Sequence, residues 1–229
     1  MEGIITLKVS EKLNLINKEI FTACERVGRQ ADSVKIVAVT KYVSNERTQE
    51  AVDAGLIHLG ENRPEGFKEK RDAVSGNVKW HFIGSLQSRK VKNVINEIDV
   101  LHSLDRMSLA KEIQKRADQK IDCFLQVNVS GEEQKHGLSP ENAAQFVEEL
   151  ANYDKINVIG LMTMAPLTED EEVIRSCFKQ LAVLRDSIAA KNLQHAPCTE
   201  LSMGMSNDFT IAIEEGATYI RIGSSLVGE

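Results

Sequence analysis

Lys35-Ile-Val-Ala-Val-Thr40 is a short run rich in Val and Ile, and Ser44 can open an amphipathic segment just after it. Such a run reads as a buried strand of a parallel sheet, and the segment as its crossover helix. The unit recurs: further apolar runs stand at 56–60, 78–83, 98–101, 121–129, 156–161, 199–203 and 218–222. Helical patterns lie between them. Ser139-Pro140 reads as an N-cap with proline at the first helical position. Thr168-Glu-Asp-Glu171 reads as a capping box before the stripe Ile174, Phe178, Leu181, Leu184 and Ile188. Asp105 and Ser206 are comparable start signals. Ahead of the first run, Ser10 can cap a helix carrying Leu13, Ile16, Ile20 and Cys24, ended by Gly28.

Eight strands alternating with helices predict an α/β chain: a single (β/α)8 TIM barrel over residues 1–229 with an extra N-terminal helix. Few residues follow the eighth run, so the N-terminal helix can take the place of the last outer one. A doubly wound sheet would normally carry a dinucleotide or P-loop fingerprint, and neither pattern occurs. No Pro-rich or Gly/Ser-rich linker divides the 229 residues.

Composition narrows the function classes. With 42% hydrophobic and 27% charged residues the chain is globular in character, and no apolar run approaches the roughly 20 residues of a membrane span. The first residues, MEGIITLKVSEK, lack the features of a signal peptide, so a cytoplasmic protein is expected. A net charge of −6 with no basic cluster argues against nucleic acid and for a small-molecule ligand. Cys24, Cys123, Cys177 and Cys198 form no CxxC pair, and no His or carboxylate spacing suggests a metal. Glu132, Glu133 and Lys135 read as a solvated loop.

In such barrels the site gathers at the carboxyl ends of the strands. Those ends carry Lys41, Asn62, His81, His102-Ser103, Asn128, Met162–Met164, Ser202–Ser206 and Arg221–Ser224. A partly desolvated Lys41 suits a Schiff base with an aldehyde or ketone; the alternative is a solvated strand-end lysine. Gly223-Ser224 and Ser206, in the last two loops, suit a phosphate, or else are a turn glycine and an ordinary cap. Arg221 interrupts an apolar run, so either it pairs with a carboxylate inside the barrel or it addresses a ligand. His81 can be a satisfied interior histidine, and the four methionines 162, 164, 203 and 205 read as packing.

Seven segments occur in one order: Ala38-Val-Thr-Lys41, Gly60-Glu-Asn62, His81-Phe-Ile-Gly-Ser-Leu-Gln87, Gln126-Val-Asn-Val-Ser130, Gly160-Leu-Met-Thr-Met164, Leu201-Ser-Met-Gly-Met-Ser206 and Arg221-Ile-Gly223. In these the chain closely resembles the pyridoxal phosphate homeostasis (YggS/PROSC-type) family, a relative of the alanine racemase barrel. The resemblance implies a barrel that binds pyridoxal 5′-phosphate (PLP) as a Schiff base on Lys41. It implies that Ser206, Gly223 and Ser224 hold the phosphate, that Arg221 faces the pyridine nitrogen, and that Asn62, His81, Ser202 and Met203 line the pocket. It further implies a monomer acting in vitamin B6 homeostasis, with PLP-dependent apoenzymes as recipients. Departures fall at Ser88-Arg89-Lys90, Pro64-Glu65 and Leu226-Val-Gly228, clear of Lys41, Arg221 and Gly223.

An arginine facing the ring nitrogen keeps it unprotonated, which makes a weak electron sink. Racemases of the related fold draw a second acid/base from an additional domain, for which these residues leave no room. The expectation is therefore a PLP carrier or buffer rather than an enzyme. The alternatives are a PLP-dependent amino-acid racemase and a PLP-free Schiff-base aldolase acting on a sugar phosphate.

Overall fold

The computed structural model describes residues 7–132 and 134–228. Residues 1–6, Glu133 and Glu229 lie outside them, and with them part of the N-terminal stretch and the middle of the acidic loop read above. Eight strands form: β1 Lys35–Val39, β2 His58–Glu61, β3 Lys79–Phe82, β4 Val100–Leu104, β5 Ile121–Gln126, β6 Ile156–Met162, β7 Glu200–Ser202 and β8 Tyr219–Ile222. All pair in parallel, each with its sequence neighbour, and β8 closes on β1 through Val37 opposite Arg221. The expected (β/α)8 barrel is therefore present.

The helices are α1 Val9–Arg26, α2 Asn45–Asp53, α3 Pro64–Ala73, α4 Met107–Arg116, α5 Pro140–Glu149, α6 Glu171–Ala189, α7 Phe209–Glu214 and α8 Ser224–Val227. Between β3 and β4 the crossover is only a 3-10 turn, Ser88–Asn93. The N-terminal helix does stand in for a last outer helix: α1 packs on α7, α8 and α2. Arg29 just beyond it donates to the carbonyls of Ile213 and Ala217 at 2.7 and 2.8 Å.

Several helix starts differ from the sequence reading. α1 begins at Val9, not after Ser10, because Glu50 of α2 accepts the Val9 N–H at 2.7 Å, a partner remote in sequence. α6 is capped by Asp170, whose carboxylate accepts from Glu172 N and Val173 N, while Thr168 Oγ1 accepts only from Asp170 N. α4 and α7 start after Arg106 and Asp208 rather than after Asp105 and Ser206. The Ser44 cap forms as read, accepting from Arg47 N. β4 runs to Leu104 instead of ending at Leu101, because all five of its residues are buried.

Two apolar zones result. One lies between strands and helices, with Phe67, Phe178, Leu181 and Ile113 at its centre. The other fills the barrel: Val37, Val100, Phe124, Met162 and Tyr219. Barrel interiors are normally packed with branched aliphatics. Here His81 and His102 are also fully buried inside, each with a ring centroid within 6.5 Å of that of Tyr219. Burial disfavours the imidazolium, so His81 is pushed down to about 3 and His102 well below its ordinary 6.5.

These shifts set an acid sensitivity. Below 6.5 the unfolded chain protonates these imidazoles and the folded chain does not, so stability falls as pH falls. The slope is about 1.4 kcal/mol per pH unit for each histidine. Urea unfolding between about pH 6 and about pH 5 should show this loss, and His81→Asn should make it shallower by one such increment.

Candidate functional site

The first residue of interest stands on a rigid base. Thr40 follows β1 and is fully buried; its Oγ1 donates to Glu61 Oε1 at 2.6 Å. Lys70 of α3 donates to the same oxygen at 2.8 Å and to the Thr40 carbonyl at 2.5 Å. Glu61 and Lys70 are 2% and 6% exposed, so this is a buried ion pair that grips the end of β1. The chain then turns sharply. Val43 N donates to Thr40 O at 3.3 Å, and Tyr42, the third residue of the turn, has φ 70°. A positive φ there normally calls for glycine or asparagine, and a bulky residue pays about 1–2 kcal/mol of strain. The turn leaves Lys41 exposed at its corner, with Nζ 5.7 Å from the centre of the exposed Tyr42 ring.

Arg221 lies on β8, which adjoins β1. It is 5% exposed, and among the described residues no carboxylate is bonded to it. Nη1 donates to Ser202 Oγ at 2.6 Å and Nη2 to the Thr163 carbonyl at 2.9 Å. Burial lowers it from 12.5 to about 10, against the pull of the Asp208 carboxylate, so it is a cation at neutral pH. Asp208 in turn accepts from Met205 N at 2.5 Å, which anchors the loop after β7. Of the two readings left open for Arg221, a bonded carboxylate is not what the structure contains.

The remaining positions group around these two. Asn62 follows β2, half-buried, and Gly84 after β3 packs against it: a Cβ at Gly84 would fall 2.2 Å from the Asn62 carbonyl oxygen. Gly223 lies beside Val39 of β1, and it opens α8 without a side-chain cap. Ser224 is exposed and Ser206 half-buried, in the loops after β8 and β7. Gly204, at φ 90°, lets the β7 loop lie on Ala212 of α7, where a Cβ would come within 2.6 Å. Lys41, Asn62, Ser202, Ser206, Arg221, Gly223 and Ser224 thus belong to the carboxyl ends of four consecutive strands, β7-β8-β1-β2. Two expected positions sit elsewhere. Met203 packs in the layer between strands and helices, and His81 lies inside the barrel, bonded to His58 and His102.

Sequence reasoning passed over Tyr219, His58 and the Glu61–Lys70 pair, and it gave Thr163, within the strand-end stretch 162–164, no role of its own. Strand parity could have joined His81 to His102 inside the barrel, since each is the third residue of its strand. Nothing in sequence spacing could have joined Lys70 to Glu61. Among the described residues no group of three or more His, Cys, Asp or Glu side chains is placed to hold a metal, and no helix is long and apolar enough to cross a membrane. The four cysteines are free and buried, and burial raises every thiol.

These features define a class: a parallel (β/α)8 barrel presenting a primary amine and a buried guanidinium at adjoining strand ends. The alanine racemase N-terminal domain family matches residues 19–229. The chain belongs to that family and, within it, to the pyridoxal phosphate homeostasis proteins. A pyridoxal phosphate homeostasis protein of Aquifex aeolicus is 42% identical over 227 residues, covering 97% of this chain and 99% of the relative. The structure of PipY from Synechococcus elongatus with PLP bound is 27% identical with a TM-score of 0.82, covering 96% of this chain and 100% of that one. An alanine racemase of Clostridium difficile is 14% identical with a TM-score of 0.76; the match covers 96% of this chain but 56% of the racemase, and it shows the fold alone.

Two substitutions test the base of the site. Lys70→Met leaves Glu61 buried and unpaired and should cost about 3–5 kcal/mol in urea unfolding, much of it recovered in Lys70→Met/Glu61→Leu. Tyr42→Gly relieves the turn and should raise stability by about 0.5–1 kcal/mol, after the entropy that glycine adds to the unfolded chain.

Proposed function

We propose that this chain binds pyridoxal 5′-phosphate at the carboxyl-end mouth of its barrel, with Lys41 as the covalent anchor, and that it serves PLP homeostasis by holding and releasing the cofactor. One observation carries the reading: a buried, charged Arg221 with only neutral bonded partners, on the strand beside β1, which leads into the Lys41 turn.

The donor set fits the cofactor. PLP supplies an aldehyde that condenses with amines, a ring nitrogen and a phosphate. Lys41 offers an exposed amine held at a turn corner. Arg221 has five N–H groups and bonds two acceptors, and it can only donate, so a ring nitrogen facing it remains an acceptor. The uncapped start of α8 at Gly223, with Ser224 and Ser206 nearby, offers amide and hydroxyl donors suited to phosphate oxygens.

The same set argues for carriage over turnover. Apart from Lys41 and Arg221, the residues gathered at these strand ends are Asn62, Ser202, Ser206, Gly223 and Ser224. None of these five has a side chain that titrates near neutrality, and His81, expected with them, lies inside the barrel where burial holds it neutral. No second acid/base faces Lys41 in this set, and a weak electron sink adds no drive for carbanion chemistry. The near full-length match to the homeostasis relative supports this reading. The released cofactor would pass to PLP-dependent apoenzymes.

Adding PLP and reducing with borohydride should leave a pyridoxyl label on the Lys41 peptide by mass spectrometry. Lys41→Ala should lose both the label and the visible absorbance of the complex; a label of equal yield elsewhere in that variant would overturn the assignment.

A further inference from the structure

The barrel interior holds a continuous row of hydrogen bonds. His58 Nδ1 lies 2.8 Å from His81 Nε2, His81 Nδ1 2.8 Å from His102 Nε2, and His102 Nδ1 2.9 Å from Ser202 Oγ. Arg221 Nη1 completes the row at 2.6 Å. It begins at the amino end of β2, where His58 is half-buried, climbs through β3 and β4, and crosses to the carboxyl end of β7. His81, His102 and Ser202 are fully buried.

A neutral imidazole has one N–H and one bare nitrogen, so an unbroken row has only two arrangements. Arg221 selects between them. A guanidinium only donates, so Ser202 Oγ accepts from it. The hydroxyl hydrogen then has one bonded neighbour able to accept, His102 Nδ1. That nitrogen is bare, the His102 hydrogen is on Nε2 facing His81 Nδ1, and the same step fixes His81 and then His58 as Nε2–H. A buried hydroxyl without an acceptor would be costly, which favours this arrangement.

We propose that His58, His81 and His102 form a tautomeric relay between the two ends of the barrel. With the row neutral all three rings carry Nε2–H; one added proton turns His81 and His102 over to Nδ1–H, places the charge on His58, and reverses the hydrogen bond between His102 and Ser202. The shift balances along the row. Ser202 Oγ takes a hydrogen from a hydronium ion as its own passes to His102 Nδ1. The His102 Nε2 hydrogen passes to His81 Nδ1, and the His81 Nε2 hydrogen to His58 Nδ1. No electrons change hands, and a water molecule is left.

The surroundings fix where the charge rests. Lys79 on β3 and Lys35 on β1 oppose a cation at His58 and at His81, while Asp99 favours one at His58. Arg221 opposes one at His102. Lys35 is itself paired with Glu200 of β7 and lies over the Tyr219 ring, its Nζ 4.4 Å from the ring centre; Tyr219 packs its ring on all three imidazoles, and Asp208 faces Arg221. Half-buried His58 is therefore the member that carries charge at the least cost. In the protonated row Ser202 accepts from both His102 and Arg221, and its hydroxyl hydrogen is free for a different acceptor. Arg221 thus senses, through positioning groups alone, a proton held at the far end of the barrel.

The test is long-range proton–nitrogen correlation NMR on ¹⁵N-histidine and ¹⁵N-arginine protein without added cofactor, followed from about pH 8 to about pH 4.5. At high pH all three rings should show the Nε2–H pattern. On acidification His58 should become doubly protonated, while His81 and His102, still neutral, change to Nδ1–H with the same midpoint, and the Arg221 guanidinium signal shifts with them. In His58→Gln the side-chain carbonyl can accept from His81 but cannot titrate in this range, so the turnover of His81, His102 and Arg221 should vanish. The relay is wrong if His81 or His102 is Nδ1–H at high pH, if either keeps Nε2–H once His58 is doubly protonated, or if His58→Gln still turns over. Should that variant not fold, the wild-type series decides alone.

Discussion

A guanidinium inside a closed barrel, with no bonded carboxylate, is the constraint from which the rest of the site follows. Burying an unpaired charge costs several kcal/mol unless its donors are met. Arg221 meets the requirement with a hydroxyl and a backbone carbonyl, from Ser202 at the end of β7 and Thr163 just past β6. Both depend on register. Met162 pairs with Ser202, and Ser202 with Tyr219, so a slip of one residue on any of the three strands would turn a partner out of the barrel.

On the other side of Arg221 the fold uses the opposite device. β1 runs into Thr40, whose hydroxyl and carbonyl are both taken up by the buried Glu61–Lys70 pair. Because that end is fixed, the strain of the next turn is concentrated in Tyr42 instead of spreading back into the strand. Lys41 is thus an exposed side chain on a well-determined stem. Arg221 is immobilised along its length by packing, whereas Lys41 is fixed only at its root.

The eight strands were legible because each is a short Val- and Ile-rich run, and runs buried on both faces need no alternation to be recognised. Helix starts were less so. Ser44 caps its own helix and was read correctly, but the start of α1 is set by Glu50, a residue of another helix, which no local pattern contains. Lys41 and Arg221 stood out because a cation next to an apolar strand is unusual. What Arg221 bonds to was not readable, since Ser202 and Thr163 reach it only through strand pairing. The histidine row was hidden for the same reason: three residues 23 and 21 positions apart become neighbours only when β2, β3 and β4 lie side by side.

A carboxylate in place of the row would be the simpler partner for Arg221, and it would bind the guanidinium more strongly. It would also occupy two of its N–H groups in a bidentate pair and cancel its charge, leaving little to address a ligand. Ser202 and the imidazoles hold the arginine without neutralising it. Neutral rings carry hydrogen bonds through the apolar centre, where further ions would each cost several kcal/mol to desolvate. The interior is therefore polar in its hydrogen bonds and nearly uncharged in its middle. That combination keeps Arg221 both in place and available at the mouth.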